Sequence, residues 1–380
     1  MPLDMPWEHR AARIAIDRRN CLKALLLSAA PRGARAQSAS TADPLPPDMK
    51  ALAAAAREEG RIVSVGMPDI WANWGATWAD LKRLHGLAHT DFNLSSAEEI
   101  ERMAADGRHG TVDIGDVGYE YAAVARGRGV SLPVKLALWE QIPGWAKDDD
   151  GYWALAYTGT IAFMLNKRRF ARLGRSLPQS WRALFDGRAR VLIGDVGSSA
   201  QGNASVLAAA LALGGSETQM QSALEAFAAL ERDGRLVTDN PKLQRMRDGE
   251  AVDAYLMWDF QALTMRDKLG PRLAQDFEVL IPADGSVTSG YSPIINKHAP
   301  HPNAALLARE YIFSDAGQLN LARGHARPIR IAQLQLPETL RKGLLDEEQY
   351  RNAHAVRPAI WAWEAKKLGP VWRREVLGLP

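Results

Sequence analysis

The sequence predicts an α/β protein built on largely parallel sheets flanked by helices, long enough for two domains. Three observations carry this expectation. Short apolar runs of strand character alternate with alanine- and leucine-rich stretches of helical period along most of the chain. Helix start and stop signals, Ser ahead and Gly behind, punctuate several of those stretches. The 380 residues, 47% hydrophobic and 24% charged, suffice for two domains of ordinary globular composition.

Taken in order, the ordered chain begins near Asp48, after a small, polar, proline-rich stretch at 37–47 that reads as a flexible linker. Residues 48–59 carry apolar positions at helical spacing and stop at Gly60. Arg61-Ile62-Val63-Ser64-Val65-Gly66 then reads as a buried strand. Ser95 and Ser96 each precede a glutamate by three residues (Glu98, Glu99), a doubled capping-box signal. Ile100 and Met103 supply that helix's inner face before Gly107 ends it. Further strand-like runs are 112–117, 153–165, 189–193, 252–258, 277–281 and 293–296, with helical stretches at 204–213, 218–232 and 302–313. Segment 336–380, rich in charge and tryptophan, reads as C-terminal helices packed against a lobe.

The first 36 residues differ from the rest. They hold seven Lys and Arg against three acids, leaving 40 basic and 41 acidic residues in the remainder, so the formal charge of +3 belongs to the leader and gives no reason to expect a nucleic-acid partner. Arg18-Arg19-Asn20-Cys21-Leu22-Lys23, an apolar 24–30 and Ala34-Arg35-Ala36 follow the order of a secretory signal peptide, with a twin-arginine-like pair. The alternative is an amphipathic N-terminal helix, which leaves the small-x-small site unexplained. Cleavage after Ala36 removes Cys21, the chain's one cysteine, and with it any disulfide or thiolate metal site. No apolar run reaches the roughly 18 residues a spanning helix needs.

Five segments stand in order along the chain: Glu58-Glu59-Gly60-Arg61-Ile62-Val63, Asp113-Ile114-Gly115-Asp116-Val117-Gly118, Tyr157-Thr158-Gly159-Thr160 leading to Asn166, Pro178-Gln179-Ser180-Trp181-Arg182-Ala183-Leu184, and Ala299-Pro300-His301-Pro302-Asn303-Ala304-Ala305 through Ser314-Asp315-Ala316-Gly317-Gln318. Together they resemble the type-2 solute-binding proteins of ABC importers. The resemblance implies the periplasmic binding protein type 2 fold, with lobe one at 48–160 plus 288–335 and lobe two at 161–287. It implies a ligand clamped in the cleft, hinge closure, a permease partner in the inner membrane, a periplasmic location and a monomer. The order of motifs is most similar to the polyamine- and iron(III)-binding branch. Two positions depart from that branch. Tyr255-Leu256-Met257-Trp258 offers one tyrosine where an iron site shows adjacent ones, and Ser292-Pro293 follow Tyr291 where the polyamine pattern places an acid.

In such a fold the ligand sits at the carboxyl ends of strands. The candidate contacts are therefore Asp69, Trp71 and Asn73 after the first strand; Asp116 and Tyr119; Tyr157 and Thr158; Ser198, Ser199 and Gln201; and Trp258, Asp259 and Tyr291. Aromatic faces beside Asp116 or Asp259 suit an alkylammonium ion. Trp71, Trp74 and Trp78 alternatively form one packed helix face. Gly197-Ser198-Ser199-Ala200-Gln201-Gly202-Asn203 suits an anion at a helix start, or ordinary N-capping. Both sites together suit an amino-acid-like or phosphonate zwitterion. Neither cofactor nor metal is expected: His298 and His301 flank a turn proline, and no G-x-S-x-G, H-E-x-x-H or Walker loop occurs. An exported enzyme pairing Asp116 with Asp259, or a ligand sensor of the same fold, stands as the alternative function.

Overall fold

Gly60 adopts φ 68°, a left-handed turn that side chains resist, and it separates the helix Pro47–Glu59 from the strand β1, Arg61–Val65. The structure, a computed structural model, describes residues 47–380. The signal peptide assigned to 1–36 and the linker up to residue 46 lie outside the described residues.

Ten further strands follow among the described residues: β2 Ala88–Phe92, β3 Ile114–Gly118, β4 Tyr157–Asn166, β5 Val191–Ile193, β6 Leu236–Thr238, β7 Ala254–Trp258, β8 Phe277–Leu280, β9 Ser286–Ile295, β10 Arg327–Pro328 and β11 Ala353–Ala355. Their order is β2-β1-β3-β9-β4-β7-β5-β6, with β8 and β10 beside β4 and β11 beside β9. The outer strands are parallel, as expected: β1 with β2 and β3, β5 with β6 and β7. The two long strands are not. β4 and β9 run antiparallel to each other and to β7, β8 and β3, because each carries the chain from one lobe to the other and must return.

These two strands build the hinge. They pair from Tyr157 opposite Tyr291 to Thr160 opposite Thr288, and then part. At one end of this fork, past Tyr291, β9 pairs with β3; at the other, past Thr160, β4 pairs with β7 and β8. We assign lobe one to the β1–β3 side and lobe two to the β5–β8 side of this fork.

The period-2 alternation of strands divides the core. Ile161, Phe163 and Leu165 of β4, with Ala254, Leu256 and Trp258 of β7, face the main core. Ala162, Met164, Tyr255 and Met257 face a second cluster with Phe277 and Val279. Sequence reading missed β2, whose His and Asp hide an edge strand, and the polar start of β9 at Ser286–Gly290. Pairing with β4 and β11, rather than apolar density, fixes that stretch.

Helix termini are set by side chains far away in sequence. Glu59 accepts from the amides of Asn303 and Ala304 at 3.2 and 2.7 Å, capping the helix Pro302–Phe313 where proline leaves no other cap. The terminal helix Pro358–Glu375 packs against Tyr119–Gly127 of lobe one and Gln221–Arg232 of lobe two. Trp361, Ala365, Leu368 and Trp372 form its buried stripe, long enough to reach both, so the closing segment covers two lobes rather than one.

Candidate functional site

A cavity of about 310 Å³ opens between the lobes. Lobe one supplies its floor from Trp71, the loop at Asn93–Ser96, Glu99 and Asp116. Lobe two supplies Asp195, Ser198, Ser199, Gln201 and the face of helix Asp259–Lys268 bearing Gln261, Thr264 and Lys268, and Tyr291 stands at the hinge. The lobes touch around it. The Ala97 amide donates to the Ser198 carbonyl at 3.4 Å, and the Tyr121 hydroxyl donates to the Gly197 carbonyl at 3.0 Å.

Asp116 ends up here because β3 is buried along its whole length and its carboxyl end opens into the cleft. Its Oδ2 accepts from the Tyr157 hydroxyl at 2.6 Å and from the Trp74 indole at 3.3 Å, and Tyr157 accepts in turn from the Trp71 indole at 2.6 Å. Oδ1 has no hydrogen-bond partner among the described residues. Burial outweighs those two donors and pushes the Asp116 carboxyl up to about 8. Burial likewise holds the phenols of Tyr157 and Tyr291 well above their usual range, so both stay neutral.

The aromatic side chains form one packed wall. Trp71 meets Phe260 and Tyr291 edge-on at 5.1 and 5.4 Å, and Tyr157 stacks on Tyr291 at 5.5 Å. Trp258 donates its indole N–H to Tyr291 at 2.9 Å, while its amide donates to Gln201 at 3.0 Å.

Of the residues singled out in the sequence, Trp71, Asp116, Ser198, Ser199, Gln201 and Tyr291 line the cavity. Tyr157 and Trp258 stand behind that lining and orient it. The others lie elsewhere. Asp69 is exposed beside the rim. Asn73, at φ 60°, donates to the Asn320 carbonyl at 2.9 Å within lobe one. Tyr119 donates to the Trp145 carbonyl and packs on Trp153. Thr158 sits in the β4 ladder between Gly290 and Arg327.

Asp259 opens its helix where the chain turns after Trp258. It is buried, accepting from the Thr160 and Phe260 amides at 2.9 Å each and from the Tyr350 hydroxyl at 2.6 Å. It is not part of the cavity lining, so it does not pair with Asp116 across the cleft. The serine loop takes the capping role: Ser199 accepts from the Gly202 amide, and Ser198 donates to Asp195.

Sequence reading missed Glu99, which lines the cavity and is 1% exposed. The signal was present, since Glu99 falls on the inner face of the helix Ser96–Asp106 with Ile100 and Met103. Ser95 and Glu98 form the capping box there, leaving Glu99 free for the interior. No group of three metal-ligating side chains occurs among the described residues.

Two lobes joined by crossover strands, with a polar and aromatic cavity between them, define a solute-binding protein. Residues 116–349 match the profile of the bacterial extracellular solute-binding proteins, and the chain belongs to that family. No curated protein sequence matches it. Among solved structures, the fold is similar to the periplasmic binding protein AfuA from Actinobacillus pleuropneumoniae, described with fructose-6-phosphate bound, at 15% identity and TM-score 0.68, covering 83% of this chain and 98% of that one. It is also similar to a putative spermidine/putrescine ABC transporter protein from Listeria monocytogenes, at 17% identity and TM-score 0.62, covering 83% and 99%. A ferric binding protein from Campylobacter jejuni matches at 17% identity and TM-score 0.61, covering 83% and 99%.

Proposed function

We propose that the chain is an exported receptor that captures a small organic cation between its lobes and presents it to an ABC importer in the inner membrane. The observation that carries this is the lining: Glu98, Glu99, Asp116 and Asp195 against one cation, Lys268, with the aromatic faces of Trp71 and Tyr291 beside them. A cation entering the cavity finds carboxyl oxygens without partners and π faces, each cation–π contact adding roughly 0.5–2 kcal/mol.

The anion and zwitterion readings have less support. Ser198 donates its hydroxyl proton to Asp195, and Asp195 itself repels negative charge. An enzyme pairing Asp116 with Asp259 has none, because Asp259 faces the hinge. Export follows from the leader, with cleavage after Ala36 and a monomeric mature protein; mass analysis of periplasmic material retaining Met1 would remove that part.

The deciding experiment is a thermal-shift screen with choline, 1,4-diaminobutane and agmatine against glutarate and fructose 6-phosphate. A tight ligand raises apparent stability by mass action. Stabilisation by a cation supports the reading, and stabilisation by the anions alone overturns it.

A further inference from the structure

Glu99 and Asp116 are two buried carboxyls that line one cavity with no cation of the chain against them. The backbone makes room for Glu99. A Cβ built on Gly66 would lie 2.2 Å from its Oε1, and one on Gly115 2.5 Å from its Oε2, so a side chain at either position would push the carboxyl group from this place. Oε2 of Glu99 and Oδ1 of Asp116 have no hydrogen-bond partner among the described residues.

The charged and titratable groups around the pair do not neutralise it. From β2, Asp91 adds negative charge, and His89 is stacked on Trp78 at 4.0 Å, its burial pushing it down to about 4 and therefore neutral. Glu98 on the same helix adds a further acid, and Asp69 raises the local negative field at Asp91. From β4 and β9 the neutral phenols of Tyr157 and Tyr291 face Asp116. From lobe two come Asp195 and Lys268, both exposed to solvent. Two carboxylates so placed cannot both ionise cheaply without a partner.

We propose that the Glu99–Asp116 pair exchanges its protons for the charge of the incoming cation, so that capture releases protons to solvent and tightens as pH rises. This rests on the cation reading above. In the exchange the O–H bond of a carboxylic acid breaks, its proton passes to water or buffer, and the carboxylate forms an ion pair with the bound cation. Burial raises both acids, Asp116 to about 8 and Glu99 upward by burial first and by Asp116 second, and a bound cation lowers them again. The bound form therefore binds fewer protons than the free form, and affinity climbs with pH until both free acids have ionised.

The test is titration calorimetry with the tightest binder among choline, 1,4-diaminobutane and agmatine, all of which keep their full charge from about pH 6 to about pH 8. Buffers of high and low ionisation enthalpy report the protons released. We expect the observed heat to depend on the buffer, and affinity to rise up to about tenfold per pH unit for each proton exchanged. Glu99→Gln, which keeps the shape, is expected to reduce the protons released and flatten the pH dependence. Cation binding with no proton released by the wild-type protein overturns the exchange while leaving the cation reading intact. No binding of any of the three at any pH overturns the cation reading itself. Because the wild-type proton count decides the matter, the test survives a Glu99→Gln chain that does not fold.

Discussion

The hydroxyls of Thr160 and Thr288 meet at 2.7 Å at the lobe-two end of the stretch where β4 and β9 pair. Rotation of one lobe against the other is concentrated in this stretch, since β9 joins β3 of lobe one past Tyr291 and β4 joins β7 and β8 of lobe two past Thr160. Solution scattering at saturating cation is expected to give a smaller radius of gyration than the free protein. An unchanged radius would show a fold that does not close on its ligand.

Gly118, at the end of β3, approaches the first turn of helix Ala200–Ala212 so closely that a Cβ there would lie 2.4 Å from that of Ala200. Its φ of −59° tolerates a side chain, so Gly118→Ala tests lobe contact rather than backbone strain. The lobes must separate to admit the methyl, and affinity is expected to fall by about 1–3 kcal/mol, the usual cost of overpacking. Combining it with Ala200→Gly should restore much of the loss. Failure of that rescue would show that the lobes do not need this contact.

Asp259 ties β4 to its own helix and to Tyr350, and its burial makes it expensive to lose. Asp259→Ala leaves the Thr160 amide and the Tyr350 hydroxyl without their acceptor, and should lower unfolding stability by about 2–4 kcal/mol. Cation affinity in the folded fraction should change by less than about threefold, because the carboxyl group faces Thr160 and Tyr350 rather than the cavity. A large affinity loss with unchanged stability would instead place Asp259 against the ligand.

Trp71 offers the ligand a partly exposed face and holds the Tyr157 hydroxyl in place. Trp71→Ala is expected to weaken cation binding by about 2 kcal/mol, combining cation–π and apolar contact. Trp71→Phe keeps the face but loses the donor, and should fall between. Calorimetry showing wild-type affinity in both would remove Trp71 from the site.

Glu120 lies in the first turn of the helix Tyr119–Gly127, beneath the terminal helix, and neither carboxyl oxygen has a hydrogen-bond partner among the described residues. Burial pushes it up to about 7. An acid whose folded value lies above its unfolded value loses nothing below the unfolded value, and destabilises progressively as pH rises towards the folded one. Ligand-free protein is therefore expected to lose stability between about pH 5 and about pH 8, with Asp116 and Glu99 contributing in the same direction. Glu120→Gln should recover part of it, on the order of 3 kcal/mol near neutral pH from a shift of that size. Parallel unfolding curves for wild type and variant across this range would refute the assignment.

The amino-acid order by itself determined the α/β class and placed the helix 302–313, signalled by Pro302 and apolar spacing, although its N-terminal amides are capped by the distant Glu59. It also pointed to Trp71, Asp116 and Gln201 near strand ends, since a buried strand followed by a helix opens its carboxyl end at a sheet edge, whereas Tyr291 proved to lie inside β9. Tertiary structure decided the rest. Whether a strand-end residue faces the cavity depends on which lobe meets it: Asp116 opens to the cleft, while Asp259 turns to Thr160 and Tyr350, residues 99 and 91 positions away. Glu99 looked like a capping acid until Gly66 and Gly115, on other strands or their ends, proved to frame its carboxyl group. Local patterns fix backbone conformation through short-range sterics and hydrogen bonds, whereas burial and charge are set by neighbours that only the folded chain brings together.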